Sequence, residues 1–355
     1  MTKKKVAVLF GGVSTEHDVS LISATSVINN IPKDKYDVIC IGITEKGRWL
    51  FFPGDVSEIA TGEWERHPDC ASAVISPDPI HKGIIKILDD GETSVQKIDC
   101  VFPVLHGKGG EDGTVQGLLE LSGIPFVGCD LLSSANCMDK ALTHTVLEAN
   151  GIKTAKWGFM LRNQLDTLSE KCDEFEQKFG YPMFVKPANG GSSIGISKAT
   201  DRETLEAAIK YAFALDKKVV VEAEVKGREI ECAIMGNDTN VTVSVPGEIV
   251  SCSDFYDYDA KYVLAQSELK IPAPLTDEQK NAIMENAKRA YIAMGCSGMS
   301  RVDSFLCENG EILINEINTI PGFTSISMYP KLMDAIGISY SDLLDRLINL
   351  AIDRI

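Results

Sequence analysis

Short apolar runs that alternate with amphipathic stretches place this chain in the α/β class, organised as more than one unit. Three observations carry that reading. Val6-Ala-Val-Leu-Phe10 stops at Gly11-Gly12 and leads into a helical pattern through Val19, Ile22 and Val27, which is a strand, a glycine turn and a helix. The same signals recur at Val101-Phe-Pro-Val-Leu105, followed by glycines and a helix pattern from Val115 to Leu121. Near the far end, Arg301/Asp303 and Glu316/Asn318 are i,i+2 pairs in strand-like runs joined by Glu308-Asn-Gly310. Period two puts each pair on one face of its strand.

In the first unit, residues 1–130, Asp37-Val-Ile-Cys-Ile-Gly42 adds a strand to an expected parallel sheet. Residues 50–98 break the rhythm and read as a peripheral insertion with a hairpin from Ile84 to Ile98. A second unit, 131–225, opens with a helix from Lys140 to Ala149, ended by Asn150-Gly151. A helix from Leu165 to Phe179 carries Leu168, Cys172, Phe175 and Phe179 on one face and stops at Gly180. Met183-Phe-Val-Lys186 and Ile194-Gly-Ile-Ser197 flank a glycine-rich loop as a hairpin. Thr200-x-x-Glu203 predicts a capping box for a helix through Phe213, and Lys218-Val-Val-Val-Glu222 is the next strand.

The third unit, 226–355, begins with Glu229-Ile-Glu-Cys-Ala-Ile234, which alternates as a half-buried strand does. A polar, tyrosine-rich stretch at 251–270 reads as a long loop. Thr276-x-x-Gln279 caps a helix with Ile283, Ala287, Ala290 and Met294 on one face, ended by Gly295. The paired strands around Glu308-Asn-Gly310 follow, then a terminal helix with Leu343, Leu347 and Ala351. That hairpin gathers two carboxylates, an amide oxygen and a guanidinium. Hard oxygen donors beside a fixed cation suit Mg²⁺ and nucleotide phosphate chemistry.

A length of 355 residues implies about two or three domains. A net charge of −16 argues against non-specific binding to nucleic acid or anionic membranes. The ten cysteines occur singly, without a Cys-x-x-Cys pair, and read as buried thiols of a reducing cytosol. The start runs from Met1-Thr-Lys-Lys-Lys straight into a strand, so no signal peptide is expected. No apolar run reaches the length of a membrane span.

Two glycine loops match common fingerprints and fail them on spacing or context. Gly107-x-Gly109 with Gly113 is one residue too long for a dinucleotide turn, and Glu111-Asp112 would face the pyrophosphate. Gly191-x-Ser193-x-Gly195 lacks the helix that a nucleophile elbow needs. Gly190-Gly-Ser-Ser193 instead suits a flap whose backbone N–H groups and hydroxyls converge on phosphate, with an ordinary hairpin turn as the alternative.

These residues, with Val8-Leu-Phe-Gly-Gly-Val-Ser-Thr-Glu-His-Asp-Val-Ser20, His106-Gly-Lys-Gly-Gly-Glu-Asp-Gly113, Met138-Asp-Lys140, Tyr256-Asp-Tyr-Asp-Ala-Lys-Tyr262 and Asn318-Thr-Ile-Pro-Gly-Phe-Thr-Ser325, resemble the D-alanine–D-alanine ligases of the ATP-grasp superfamily. The likeness spans essentially all 355 residues. It implies an N-terminal α/β (pre-ATP-grasp) domain followed by central and C-terminal ATP-grasp subdomains. It also implies a cytosolic homodimer that uses ATP and two Mg²⁺ ions, with Mn²⁺ as a substitute.

By resemblance, Lys140, Lys186, Ser192, Ser193 and Lys261 hold the ATP phosphates, and Glu222 and Glu229 bind the adenine and ribose. Asp303, Glu316 and Asn318 match metal ligands, while Arg301 and the Gly322 N–H match an oxyanion site. The alternatives are a structural ion pair for Arg301 and Asp303, and exposed strand carboxylates for Glu222 and Glu229. Glu16 and His106 match the first D-alanine subsite; alone they read as a helix first-turn acid and a structural histidine. Ser192, Glu16 and Tyr262 match a triad that latches a lid at 251–270. Ser327 and Met328 match the second subsite.

Two departures stand out. Many relatives carry a larger flap residue where this chain has Gly190. Much of the chain, including Val101-Phe-Pro-Val-Leu-His-Gly-Lys108, Cys137-Met-Asp-Lys140 and Gly295-Cys-Ser-Gly298, is at least as similar to glycopeptide-resistance D-alanine–D-serine ligases, which commonly have arginine where Met328 stands. A thioether is a weak partner for a serine hydroxyl, so Met328 points to D-alanine, with D-serine the alternative. Tyr262 speaks against D-lactate.

Overall fold

The computed structural model describes residues 2–250 and 268–354. The sequence's strand–turn–helix signals form the centre of a seven-stranded sheet, ordered β6-β5-β4-β3-β2-β1-β7. Strand β1 (Lys4–Gly11) is buried from Val6 onward and pairs in parallel with β2 (Tyr36–Ile43) and β7 (Cys100–Val104). Helix α1 (His17–Asn30) returns across this sheet, and α3 (Thr114–Ser122) follows β7. The parallel pairing stops there. Strands β3 (Trp49–Phe52), β4 (Ala71–Ile75), β5 (Gly83–Ile87) and β6 (Thr93–Lys97) extend the same sheet antiparallel.

The hairpin expected from Ile84 to Ile98 is present as β5 and β6, but residues 50–98 belong to the sheet rather than to a peripheral insertion. The connections from β2 to β3, β4 to β5 and β5 to β6 are too short for the crossovers that parallel strands need, so those strands fold back on their neighbours. Their apolar residues enter the core of the first unit. Trp64 is fully buried, with its ring 5.0 Å from that of Phe10 in an edge-to-face contact.

The central sheet has the order β10-β9-β11-β8 and is antiparallel throughout. Its strands are β8 (Trp157–Leu161), β9 (Met183–Pro187), β10 (Ser197–Ala199) and β11 (Lys218–Ala223). Helices α6 (Leu168–Phe179) and α7 (Arg202–Leu215) cover one face, where Cys172, Phe175, Leu205 and Ile209 pack on Met183, Val185, Val219 and Val221. Period two then sends Lys186 and Glu222 to the other face.

Two local expectations shift here. Residues 162–167 form a 3₁₀ turn, so α6 starts at Leu168 rather than Leu165. The cap of α7 is Asp201 with Thr204, one residue beyond Thr200 and Glu203: the Asp201 carboxylate accepts from Thr204 N at 2.9 Å. A carboxylate is the stronger acceptor for exposed helix N–H groups and wins over the adjacent hydroxyl.

The third sheet runs β15-β14-β12-β16-β17, with β13 (Asn240–Val243) also paired to β12. Strand β12 (Gly227–Asn237) is central, between β14 (Gly247–Val250) and β16 (Gly298–Cys307). It is half-buried at Arg228 and Glu229 and buried on both faces from Ile230 to Gly236. Ile230, Cys232 and Ile234 join the helix Asp277–Ala293, capped by Thr276 and Gln279 as expected, and α4 (Leu131–Met138) and α5 (Lys140–Ala149) supply Cys137 and Leu147 to that core. Ala233 and Met235 face the helices Met328–Asp334 and Tyr340–Asp353, whose core continues into α1 and β7. The alternation in the sequence distinguishes two cores rather than core from solvent.

Strand β15 is Glu268–Lys270 and β17 is Ile312–Asn318. Nine cysteines lie among the described residues and none is in a disulfide. No helix of the described residues is long and apolar enough to cross a membrane.

Candidate active site

A cleft of about 830 Å³ opens where the three sheets meet. Every sequence-predicted site residue among the described residues lines it, from Glu16 in the first unit to Met328 in the last. Lys261 and Tyr262 lie outside the described residues, as does most of the expected lid.

The hairpin β16/β17 forms one wall. Its register places Asp303 opposite Glu316 and Arg301 opposite Asn318. A bulge between Asp303 and Ser304 interrupts the ladder immediately afterwards. The Arg301 guanidinium forks onto Asp303, with Nε to Oδ1 and Nη2 to Oδ2 both 2.7 Å. Glu231, the cross-strand partner of Asp303 on β12, brings a second carboxylate to 3.0 Å from Arg301 Nε. Burial works against the guanidinium charge, but Asp303 and Glu231 outweigh it and raise the Arg301 pKa. The Asn318 amide donates to Asp303 Oδ2 at 3.0 Å.

Among the described residues, no three His, Cys, Asp or Glu side chains converge as a metal centre. The candidate set is two carboxylates and a carboxamide. These are hard oxygen donors, which fit Mg²⁺ sharing its remaining positions with phosphate oxygens.

The opposite wall carries the expected nucleotide groups. Lys186 pairs with Val220 across the ladder and Phe184 with Glu222, so Lys186 and Glu222 are diagonal neighbours. Lys186 Nζ lies 2.6 Å from Glu222 Oε2, and His144 Nε2 lies 3.1 Å from Oε1. Burial alone would raise the Glu222 pKa. The charge of Lys186, then the hydrogen bond and charge of His144, overcome it and hold the carboxyl at about 2. His144 stacks on Trp157 with ring centroids 4.9 Å apart. Glu229 sits on β12, half-buried, opposite Ile249. Lys140 begins α5 and donates to the Gly190 carbonyl at 2.6 Å, which ties the flap to a helix start.

Glu16, immediately before α1, is buried. The Ser192 hydroxyl donates to its Oε1. Ser192 and Ser193 both have left-handed backbone, with φ +49° and +59°. A Cβ at Gly191 would lie 2.8 Å from Glu16 Oε2, so the flap backbone and the Glu16 carboxylate are in close approach.

His106 is buried with both ring nitrogens engaged, Nδ1 with Ile320 O at 3.1 Å and Nε2 with Ser23 Oγ at 3.0 Å. Burial lowers its pKa, against the pull of Glu16. Ser327 Oγ accepts from Thr324 N at 3.0 Å and would sit 2.7 Å from any Cβ at Gly322, which explains glycine at that position. Met328 starts a helix, is 4% exposed and is among the residues that line the cleft.

Four residues of this site carried no assigned role in the sequence: Glu111, His144, Glu231 and Ser23. His144 follows Lys140 by four positions, on the same helix face, which is the one local signal for it. Glu111 lies inside a motif already singled out and accepts the nearby Gly107 N–H, yet its other partner, Ile320, is 209 residues away. Burial, then the charge of Glu16, push its carboxyl up to about 8.

Comparison with known proteins places the whole chain. The D-ala D-ala ligase N-terminus profile matches residues 5–129, and the D-ala D-ala ligase C-terminus profile matches 146–349. A D-alanine–D-alanine ligase of Caldicellulosiruptor bescii is 52% identical, over 100% of this chain and 96% of the relative. One from Thermoanaerobacter sp. is 49% identical, over 99% and 98%. Among solved structures, the VanG D-Ala:D-Ser ligase from Enterococcus faecalis superposes with a TM-score of 0.90 at 45% identity, covering 99% of this chain and 100% of that one. The D-alanine–D-alanine ligase from Coxiella burnetii gives 0.86 at 36%, covering 99% and 96%.

Proposed function

The chain belongs to the D-ala D-ala ligase family, and from that premise we propose that it joins two D-alanines at the expense of ATP, in the cytosol, for peptidoglycan precursors. The γ-phosphoryl group passes to the carboxylate of the first D-alanine and ADP leaves. The amine of the second D-alanine attacks the D-alanyl phosphate, inorganic phosphate leaves, and the amine loses a proton as the peptide bond forms. The observation that carries this reading is the single patch made by Arg301, Asp303, Glu316 and Asn318, in one cleft with the Glu16–Ser192 contact.

Each residue does work suited to its place. Glu16 holds the ammonium of the first D-alanine, and Ser192 bridges that subsite to the flap. Lys140, Lys186 and Ser193 neutralise and cradle phosphate, while Glu222 and Glu229 bind the nucleoside. Asp303, Glu316 and Asn318 would hold the two Mg²⁺ ions, or Mn²⁺ in their place, and the metal would offset the phosphate charge. Arg301, already oriented by two carboxylates, and the Gly322 N–H face the oxyanion of the tetrahedral step. Lys261 reaches the phosphates and Tyr262 closes the triad with Ser192 and Glu16; both assignments rest on the sequence motif.

Ser327 and Met328 form the second subsite. The buried thioether of Met328 offers no strong partner to a hydroxyl, which favours D-alanine there. The likeness to a D-Ala:D-Ser ligase keeps D-serine as the second reading. ADP release and product mass with D-alanine alone, then with D-serine added, decide between them. No turnover in either condition sinks the ligase reading, and a strong preference for the mixed dipeptide sinks D-alanine as second substrate.

A homodimer is also proposed. Leu121 and Leu132, on the packed helices α3 and α4, are 67% and 65% exposed, an apolar pair that a second copy would cover. Sedimentation that shows a monomer at micromolar concentration rejects it.

A further inference from the structure

We propose that Glu111, together with His106 and Ser23, is a positioning clamp that aims the Gly322 N–H from the opposite end of the chain. This rests on the oxyanion role given to Gly322 above.

Gly322 belongs to the loop that follows β17. That loop is gripped at three backbone atoms by side chains of the first unit. Ile320 N donates to Glu111 Oε1 at 3.0 Å. The Ile320 carbonyl lies 3.1 Å from His106 Nδ1. Phe323 N donates to Ser23 Oγ at 3.4 Å. The three atoms bracket Gly322 on both sides.

One assignment of protons satisfies every contact. Phe323 N–H donates to Ser23 Oγ, and the Ser23 hydroxyl donates to His106 Nε2 at 3.0 Å. The Nδ1–H of the neutral imidazole donates to the Ile320 carbonyl. Ile320 N–H donates to one Glu111 oxygen, and the other accepts Gly107 N–H at 2.8 Å; both contacts favour the ionised carboxylate, against burial and the charge of Glu16, which raise its pKa. The lowered pKa of the buried His106 agrees with a neutral ring. Both ring nitrogens of His106 are engaged in this chain of contacts, so His106 acts on the loop through Ile320. Fully satisfied buried networks fix one geometry, whereas partly satisfied ones cost free energy. Glu111 is the anchor, because its two oxygens join the loop of Gly107 to the loop of Gly322.

The clamp also couples the first amino-acid subsite to the oxyanion site. The elements that place Glu16 and those that place Gly322 cannot move apart without breaking it. A donor displaced by even an ångström loses most of its effect on a developing oxyanion.

The test uses the full chain in three variants, Glu111→Ala, Glu111→Gln and Ser23→Ala, with thermal unfolding to confirm folding. Amide hydrogen exchange is followed over residues 319–324. Glu111→Ala should speed exchange at Ile320 tenfold or more. Glu111→Gln should be intermediate, since its carbonyl still accepts one N–H. Ser23→Ala should speed Phe323 while leaving Ile320 slower than in Glu111→Ala. In turnover assays, Glu111→Ala should lower kcat by roughly a hundredfold with KM for ATP within twofold. Unchanged exchange at Ile320 overturns the clamp whatever the activity. Faster exchange with unchanged kcat overturns its catalytic purpose. If Glu111→Ala does not fold, unaltered Phe323 exchange in Ser23→Ala overturns it instead. A wild-type chain that makes no dipeptide overturns the ligase reading, while the exchange data still decide the clamp.

Discussion

Replacing Glu222 by glutamine keeps the shape of a buried side chain and removes one charge, which makes its energetic consequence calculable. Glu222 is 5% exposed and faces Lys186 at 2.6 Å and His144 at 3.1 Å. Its carboxyl titrates at about 2 instead of the ordinary 4.5. At ~1.4 kcal/mol per tenfold change in proton affinity, that difference is about 3 kcal/mol of folding stability. A carboxyl with a depressed pKa contributes fully above about 4.5, where the unfolded chain is also ionised. The contribution fades as pH falls and is gone below about 2. Breaking one side of a buried ion pair independently predicts a similar loss, about 3–5 kcal/mol.

The assay is urea unfolding of the wild type and Glu222→Gln at pH 7 and pH 3, followed by a probe of the central unit. The gap should be about 3 kcal/mol at pH 7 and shrink to about half at pH 3, because only Glu222 differs between the two chains. A gap below about 1 kcal/mol at pH 7, or one that does not shrink on acidification, would refute the electrostatic account of this wall.

Glu316→Gln should abolish D-alanine-dependent ADP release at any Mg²⁺ concentration; activity within a few-fold of wild type would remove Glu316 from the metal set. Glu231→Gln takes one of two anions from Arg301, and the expected result is about a tenfold fall in kcat with the KM for ATP unchanged, measured by steady-state kinetics. An equal change in both parameters would assign Glu231 to folding alone. Trp64→Ala should cost about 3–5 kcal/mol in denaturant titration, and a loss under about 1 kcal/mol would contradict the placement of residues 50–98 in the sheet core.

Period-two signals were legible because they are local. The i,i+2 pairs around Glu308-Asn-Gly310 needed only a hairpin to meet, and β16 and β17 meet in that register. The Thr276 cap and the apolar face of the helix it starts are equally local, and both appear as read. The cap of α7 was misplaced by one residue because Thr200 and Asp201 are adjacent acceptors and only their geometry chooses between them. Within residues 50–98 the hairpin from Ile84 was legible because it is local, whereas the pairing of β3 with β2 and of β4 with its neighbours depends on strands that only the fold brings alongside.

The site divides the same way. By itself the sequence determined which chemistry the chain can perform, since Asp303, Glu316, Asn318, Arg301, Lys186 and Glu16 carry their donors and charges wherever they lie. Tertiary structure alone decided which of them are held and by what. Ile320 and Glu111 are 209 residues apart, Phe323 and Ser23 300 apart, and His144 and Glu222 78 apart. A hydrogen bond depends on a few ångströms of distance and an angle, and no spacing along the chain encodes either until the three sheets have packed.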